Sequence, residues 1–92
     1  MTTLHFNTDA GRQTSSALGA ARGNIEGELT NIQNRINSLI GADWQGQSAS
    51  QFQSEFETWA NQLRNQLETL TNLQNRLNSE ITNWETVASQ LG

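Results

Sequence analysis

Apolar residues recur along the chain at alternating steps of three and four. From Leu18 they fall at Leu18, Ala21, Ile25, Leu29, Ile32, Ile36 and Leu39, a narrow seam on one face of a helix. A second series runs through Phe52, Phe56, Trp59, Leu63, Leu67, Leu70, Leu73, Leu77, Ile81, Trp84, Ala88 and Leu91, the same spacing over about eleven turns. Strand alternation with a period of two is nowhere competitive. The pattern predicts an all-α fold in one domain spanning residues 1–92. It has a helix over about 8–41, a turn over about 42–47 and a second helix over about 48–91, folded as an antiparallel hairpin.

Local signals sharpen the ends of these elements. Leu4 and Phe6 are apolar anchors in an extended lead, and Asn7, Thr8 and Asp9 are each competent to cap a helix. Gly41 stands where a helix commonly ends in a left-handed residue, and Gly46 is a second permissive point. Ser48 is expected to cap helix 2, with Gln51 three residues later as in a capping box. Arg22 with Glu26, Arg64 with Glu68 and Arg76 with Glu80 have the i,i+4 spacing of helix-surface ion pairs, each contributing a few tenths of a kcal/mol. The segment TNIQNRINSLI from Thr30 is echoed by TNLQNRLNSEI from Thr71, through duplication or through two amphipathic helices drawing on similar residues.

Helices of roughly 32 and 43 residues are about 50 and 65 Å long, so the hairpin is a rod two helices thick with almost no interior. One antiparallel contact shields a single line of side chains, while Phe52, Phe56, Trp59, Leu70 and Trp84 need cover from another side. Two hairpins pairing into a four-helix bundle supply it. The expected core of that bundle is Leu29, Ile32, Ile36, Phe52, Phe56, Trp59, Leu63, Leu70, Leu77, Ile81 and Trp84. A closed two-fold homodimer is the statistical default, and a paralogous hairpin serves equally well. Small residues at four-residue spacing, Gly11, Ser15, Gly19, Gly23 and Gly27, either admit a close helix or loosen the first half of helix 1.

Composition narrows the function classes. Net charge is -4, lysine is missing, and the five arginines lie far apart, which argues against nucleic acid and against anionic membrane surfaces. Charged residues are 15% of the chain, below the usual ~25%, and Asn and Gln fill the polar faces. No apolar run approaches the roughly 18 residues of a membrane span, so stable membrane insertion is not expected. The opening MTTLHFNTDAGR lacks the basic and apolar regions of a cleaved signal peptide, so export would need a dedicated machine. There is no Cys, Lys or Tyr, and His5 is the only histidine. A nucleophile with its base is therefore hard to assemble, and His5 with Asp9 near a frayed end makes a poor metal site. No catalytic residue, cofactor or metal is expected.

The turn reads GADWQGQSASQFQSEFETW. Its Trp44, Gly46, Ser48, Phe52 and Trp59 resemble, in type and spacing, the Trp-x-Gly family of early secretory antigenic target-like proteins, and the resemblance covers nearly the whole chain. It implies two long helices about a Trp-x-Gly turn and a protein exported without a cleaved signal peptide by a bacterial type VII secretion system and its export ATPase. Such a protein is cytoplasmic before export and extracellular after it. The resemblance also implies that the turn of one subunit, here Trp44 and Gly46, joins the end of helix 2 in its partner as a composite export signal. The family's usual C-terminal Tyr-x-x-x-Asp/Glu has no counterpart here, since tyrosine is absent and position 88 is Ala. Two readings follow: a secreted, non-enzymatic effector or adaptor exported as a folded dimer, or a non-secreted helical partner or chaperone for a larger type VII substrate.

Overall fold

The computed structural model describes residues 5–91, apart from the side chain of Leu91. The expected anchor Leu4 lies outside the described residues. The first helix, α1, spans Thr8–Ser38. Of the three candidate caps, Asn7 does the work: its backbone is extended, and its Oδ1 accepts a hydrogen bond from the Ala10 N–H at 3.1 Å. Its carbonyl accepts from Gly11 N–H at 3.0 Å. Asp9 in the first turn and Arg35 in the last complement the helix dipole.

The bend departs from expectation at the first of its two glycines and meets it at the second. Beyond Ser38 the helical ladder widens into one π-turn, Leu39–Asp43, closed by the Trp44 N–H donating to the Leu39 carbonyl at 2.8 Å. Gly41 sits inside that turn and does not take a positive φ, so it is not the left-handed terminator. The wider turn carries the chain to Trp44, which is extended at φ -141 and ψ 117. The reversal falls instead on Gly46 at φ 113, a region that side-chain-bearing residues rarely adopt. The second helix, α2, runs Gln47–Leu91, so Ser48 is not its cap. The Gly46 carbonyl accepts from Ser50 N–H at 3.2 Å, which gives Gly46 the capping position and leaves Ser48 inside the first turn.

The helices pack antiparallel into a rod of 68 × 20 × 20 Å. Its radius of gyration is 20.7 Å, against about 12 Å for a compact chain of this length. The seam between α1 and α2 is built from small and aliphatic residues: Gly11, Ser15 and Leu29 from α1 meet Ala49, Ala60, Leu67 and Ile81 from α2, all buried. Small side chains let the helix axes approach, and polar side chains flank the line of contact. Ser15 Oγ donates to Asn78 Oδ1 at 2.6 Å, and Gln74 Nε2 donates to the Ser15 carbonyl at 2.8 Å. Arg22 donates to Thr71 Oγ1 at 3.2 Å, Arg64 to Gln33 at 2.8 Å, and Gln53 to Asn37 at 3.2 Å. The two echoed segments thus serve alike, with Gln33 and Asn37 in one and Gln74 and Asn78 in the other bonding across the seam.

These cross-helix bonds correct the expected ion pairs. Arg22 and Arg64 reach acceptors on the opposite helix, and Arg76 and Glu80 remain apart. Ion pairs among the described residues join Arg12 to Asp9, at 3.3 Å, and to Glu85 on α2. A long side chain gains more from a seam contact than from an exposed neighbour on its own helix. At the open end of the rod Phe6 folds onto Trp84, with ring centroids 5.8 Å apart, over the space left by Gly11.

Candidate functional site

Two features stand out once the seam is filled: an aromatic tip at the bend and an uncovered apolar face along the rod. At the tip, the Trp44 indole packs on the Phe52 ring, with centroids 5.4 Å apart and planes inclined at 47°. The π-turn delivers Trp44 to this position, and Gly46 returns the chain so that α2 brings Phe52 back beneath it. Trp44 is half-buried and Gly46 is exposed. An added Cβ at Gly46 would meet nothing, so its requirement for glycine is conformational rather than steric. One turn further along α2, Phe56 and Trp59 form a second tilted pair at 5.7 Å.

The uncovered face follows from the register of α2. Every seventh residue from Gln53 (Gln53, Ala60, Leu67, Gln74, Ile81) faces α1, with Ala60 0% and Leu67 5% exposed. The next column (Phe56, Leu63, Leu70, Leu77, Trp84) is half-buried. A third column lies roughly 100° around the helix from the first. It contains Phe52, Trp59, Leu73 and Val87, with Trp59 50% and Leu73 56% exposed. Before the bend, the exposed large apolar residues are Ile25 and Ile32 of α1 and Leu39 of the π-turn. An open groove of about 300 Å³, lined by Ile25, Leu29 and Ile32 from one helix and Trp59 and Leu63 from the other, sets Ile25 and Ile32 on the same side of the rod as Trp59.

Of the residues expected in a bundle core, Leu29 and Ile81 are buried within this single chain. Ile36, Phe56, Leu63, Leu70, Leu77 and Trp84 are half-buried, and Ile32, Phe52 and Trp59 are exposed. Ala49 and Ala60 in the seam, and Val87 on the open face, lie outside the expected core. The heptad columns carry the signal that would have found Ala60 and Val87. The accessible surface of the chain is 6971 Å², roughly 1,700 Å² more than a compact protein of its mass exposes.

Chemistry is sparse at every surface. His5 is exposed, and Asp9 pairs with Arg12 rather than with His5. Among the described residues no three His, Cys, Asp or Glu side chains stand together as a metal site. No described helix is long and apolar enough to cross a membrane. What the molecule offers is shape: a flat apolar side and an aromatic knuckle at one end.

No curated protein and no solved structure gives a significant match to this sequence. A family model does match, over residues 4–87 and therefore over the bend, the Trp44–Gly46 motif and nearly all of both helices. The chain belongs to the WXG100 family, proteins of 100 residues with WXG.

Proposed function

We propose that this protein is a non-enzymatic substrate of a bacterial type VII secretion system, exported as a folded homodimer and acting outside the cell as an adaptor. Membership of the WXG100 family suggests a type VII substrate-like protein. The observation that carries the dimer is the open face: Phe52, Trp59, Leu73 and Val87 form an apolar line on α2, and all are at least two-fifths exposed. Hiding the surplus surface on two copies would remove on the order of 3,300 Å² from water, within the range of obligate dimers. The tip supplies the recognition element. Trp44 and Phe52 form a fixed aromatic knob on a backbone held by the π-turn and Gly46, which costs a receptor little ordering entropy on binding.

Comparing culture medium with cell lysate, in strains with and without the export ATPase, tests the reading. Protein in the medium only when the ATPase is present supports it. Protein confined to the cytosol in both strains, bound to a larger partner in fixed proportion, would instead support a helical chaperone. Trp44→Ala is expected to abolish most export while leaving helicity by circular dichroism unchanged, because Trp44 stands outside both helices. Export equal to the parent would reduce Trp44 to a structural role.

A further inference from the structure

The open face of α2 also indicates how two copies meet, and this inference rests on the dimer proposed above. Its exposed column reads Phe52, Trp59, Gln66, Leu73, Glu80 and Val87. Four members are apolar. The two polar ones, Gln66 and Glu80, lie in the line that a second hairpin would cover, and neither is hydrogen-bonded or ion-paired within the chain among the described residues. A polar residue in such a seam costs stability unless it finds a partner, so it selects one register over its neighbours.

We propose that two copies pack antiparallel with the two-fold axis passing beside Leu73, so that Gln66 of each copy hydrogen-bonds Glu80 of the other. The column is symmetric about Leu73 in its chemistry: Gln66 and Glu80 lie seven residues to either side, and Trp59 and Val87 lie fourteen. A two-fold operator exchanges such positions, setting amide against carboxylate twice and the Trp59 groove against Val87 twice. An axis beside Gln66 would instead oppose Phe52 to Glu80. An axis midway between Gln66 and Leu73 would oppose Trp59 to Glu80, and one beside Glu80 would oppose two carboxylates. The groove of about 300 Å³ lined by Ile25, Ile32, Trp59 and Leu63 then receives the partner's Val87, itself half exposed in the single chain.

This register has a consequence at the tips. Leu73 lies about 40 Å along α2 from the bend at ~1.5 Å per residue, beyond the midpoint of a 68 Å rod. Each bend therefore overhangs the open end of the other copy by roughly 12 Å. The Trp44–Phe52 knob stays free at both ends of the dimer.

The chain has no cysteine, so a single spin label can be placed at Thr58→Cys, an exposed site on α2. Pulsed dipolar spectroscopy should then find the two labels separated along the rods by about 45 Å, against about 24 Å for an axis beside Gln66. In parallel, Gln66→Glu should raise the dimer dissociation constant about tenfold or more by opposing two carboxylates. Adding Glu80→Gln should restore it, although the two positions are about 21 Å apart along one helix. Absence of any dipolar signal at concentrations well above the expected dissociation constant would overturn the dimer itself. A clear signal at the shorter distance, or no rescue by the double variant, would overturn the register and leave the dimer standing.

Discussion

The two faces of α2 differ in how much of their apolar surface the chain itself covers. The face turned to α1 carries Ala49, Ala60, Leu67 and Ile81, all at most 5% exposed, whereas the face turned away carries Phe52, Trp59, Leu73 and Val87 at 41–56%. The inner face is completed by small residues and by polar side chains that bond across the seam. On the outer face the described residues leave about half of each large side chain open to water. The inner face therefore sets the close approach of the two helices, and the outer face carries the apolar area available for association, about 25 cal/mol per Å² once removed from water.

The largest expected effect breaks the outer face. Leu73→Asp would place two like charges near the proposed two-fold axis, and the dissociation constant should rise by at least ~100-fold, as expected for unpaired buried charge. Sedimentation equilibrium reads this directly, and an unchanged association constant would show that the face is not an interface. Leu67→Ala on the inner face should lose about 2–5 kcal/mol in denaturant unfolding, because the 5% exposed side chain leaves a cavity between the helices. A loss below ~1 kcal/mol would mean that the seam collapses around the deletion.

Gly46→Val addresses the bend, which belongs to neither face. Its φ of 113 is strained for a β-branched residue, and stability should fall by about 1–3 kcal/mol with the dimer retained in sedimentation. The smallest effects come from the glycines of α1. An added Cβ at Gly23 or Gly27 meets nothing within 4 Å, so alanine at either should raise stability by up to ~1 kcal/mol through helix propensity. At Gly11 the same Cβ would lie 2.7 Å from Phe6 Cε1 and 3.1 Å from Ile81 Cγ1, so Gly11→Ala should forfeit that gain. Thermal melts of the three variants separate them.

The two helices and the Trp-x-Gly bend were legible because three-and-four spacing and the Trp44–Gly46 pair are local signals. The details that failed depend on geometry that neighbouring residues do not specify. Gly41 resembles a terminator, but a π-turn absorbed it and moved the reversal to Gly46. Ser48 has the residues of a capping box, yet Gly46 takes the capping position two residues sooner. Arg22 and Arg64 have suitably spaced glutamates, but the antiparallel register brings Thr71 and Gln33 within reach. The glycine stripe read as one feature and divides in two: Gly11 is buried beneath Phe6, while Gly23 and Gly27 face open space. Large residues drew attention to the outer face, whereas Ala60 in the seam shows only in its seven-residue column.

The central claim is that the outer apolar face folds against a second copy. Thermal unfolding followed across a wide range of protein concentrations, alongside sedimentation velocity, tests it most directly. The account expects a dimer whose unfolding midpoint climbs with concentration, because dissociation and unfolding coincide. A monomer that unfolds cooperatively at one fixed midpoint, even at high dilution, would contradict it.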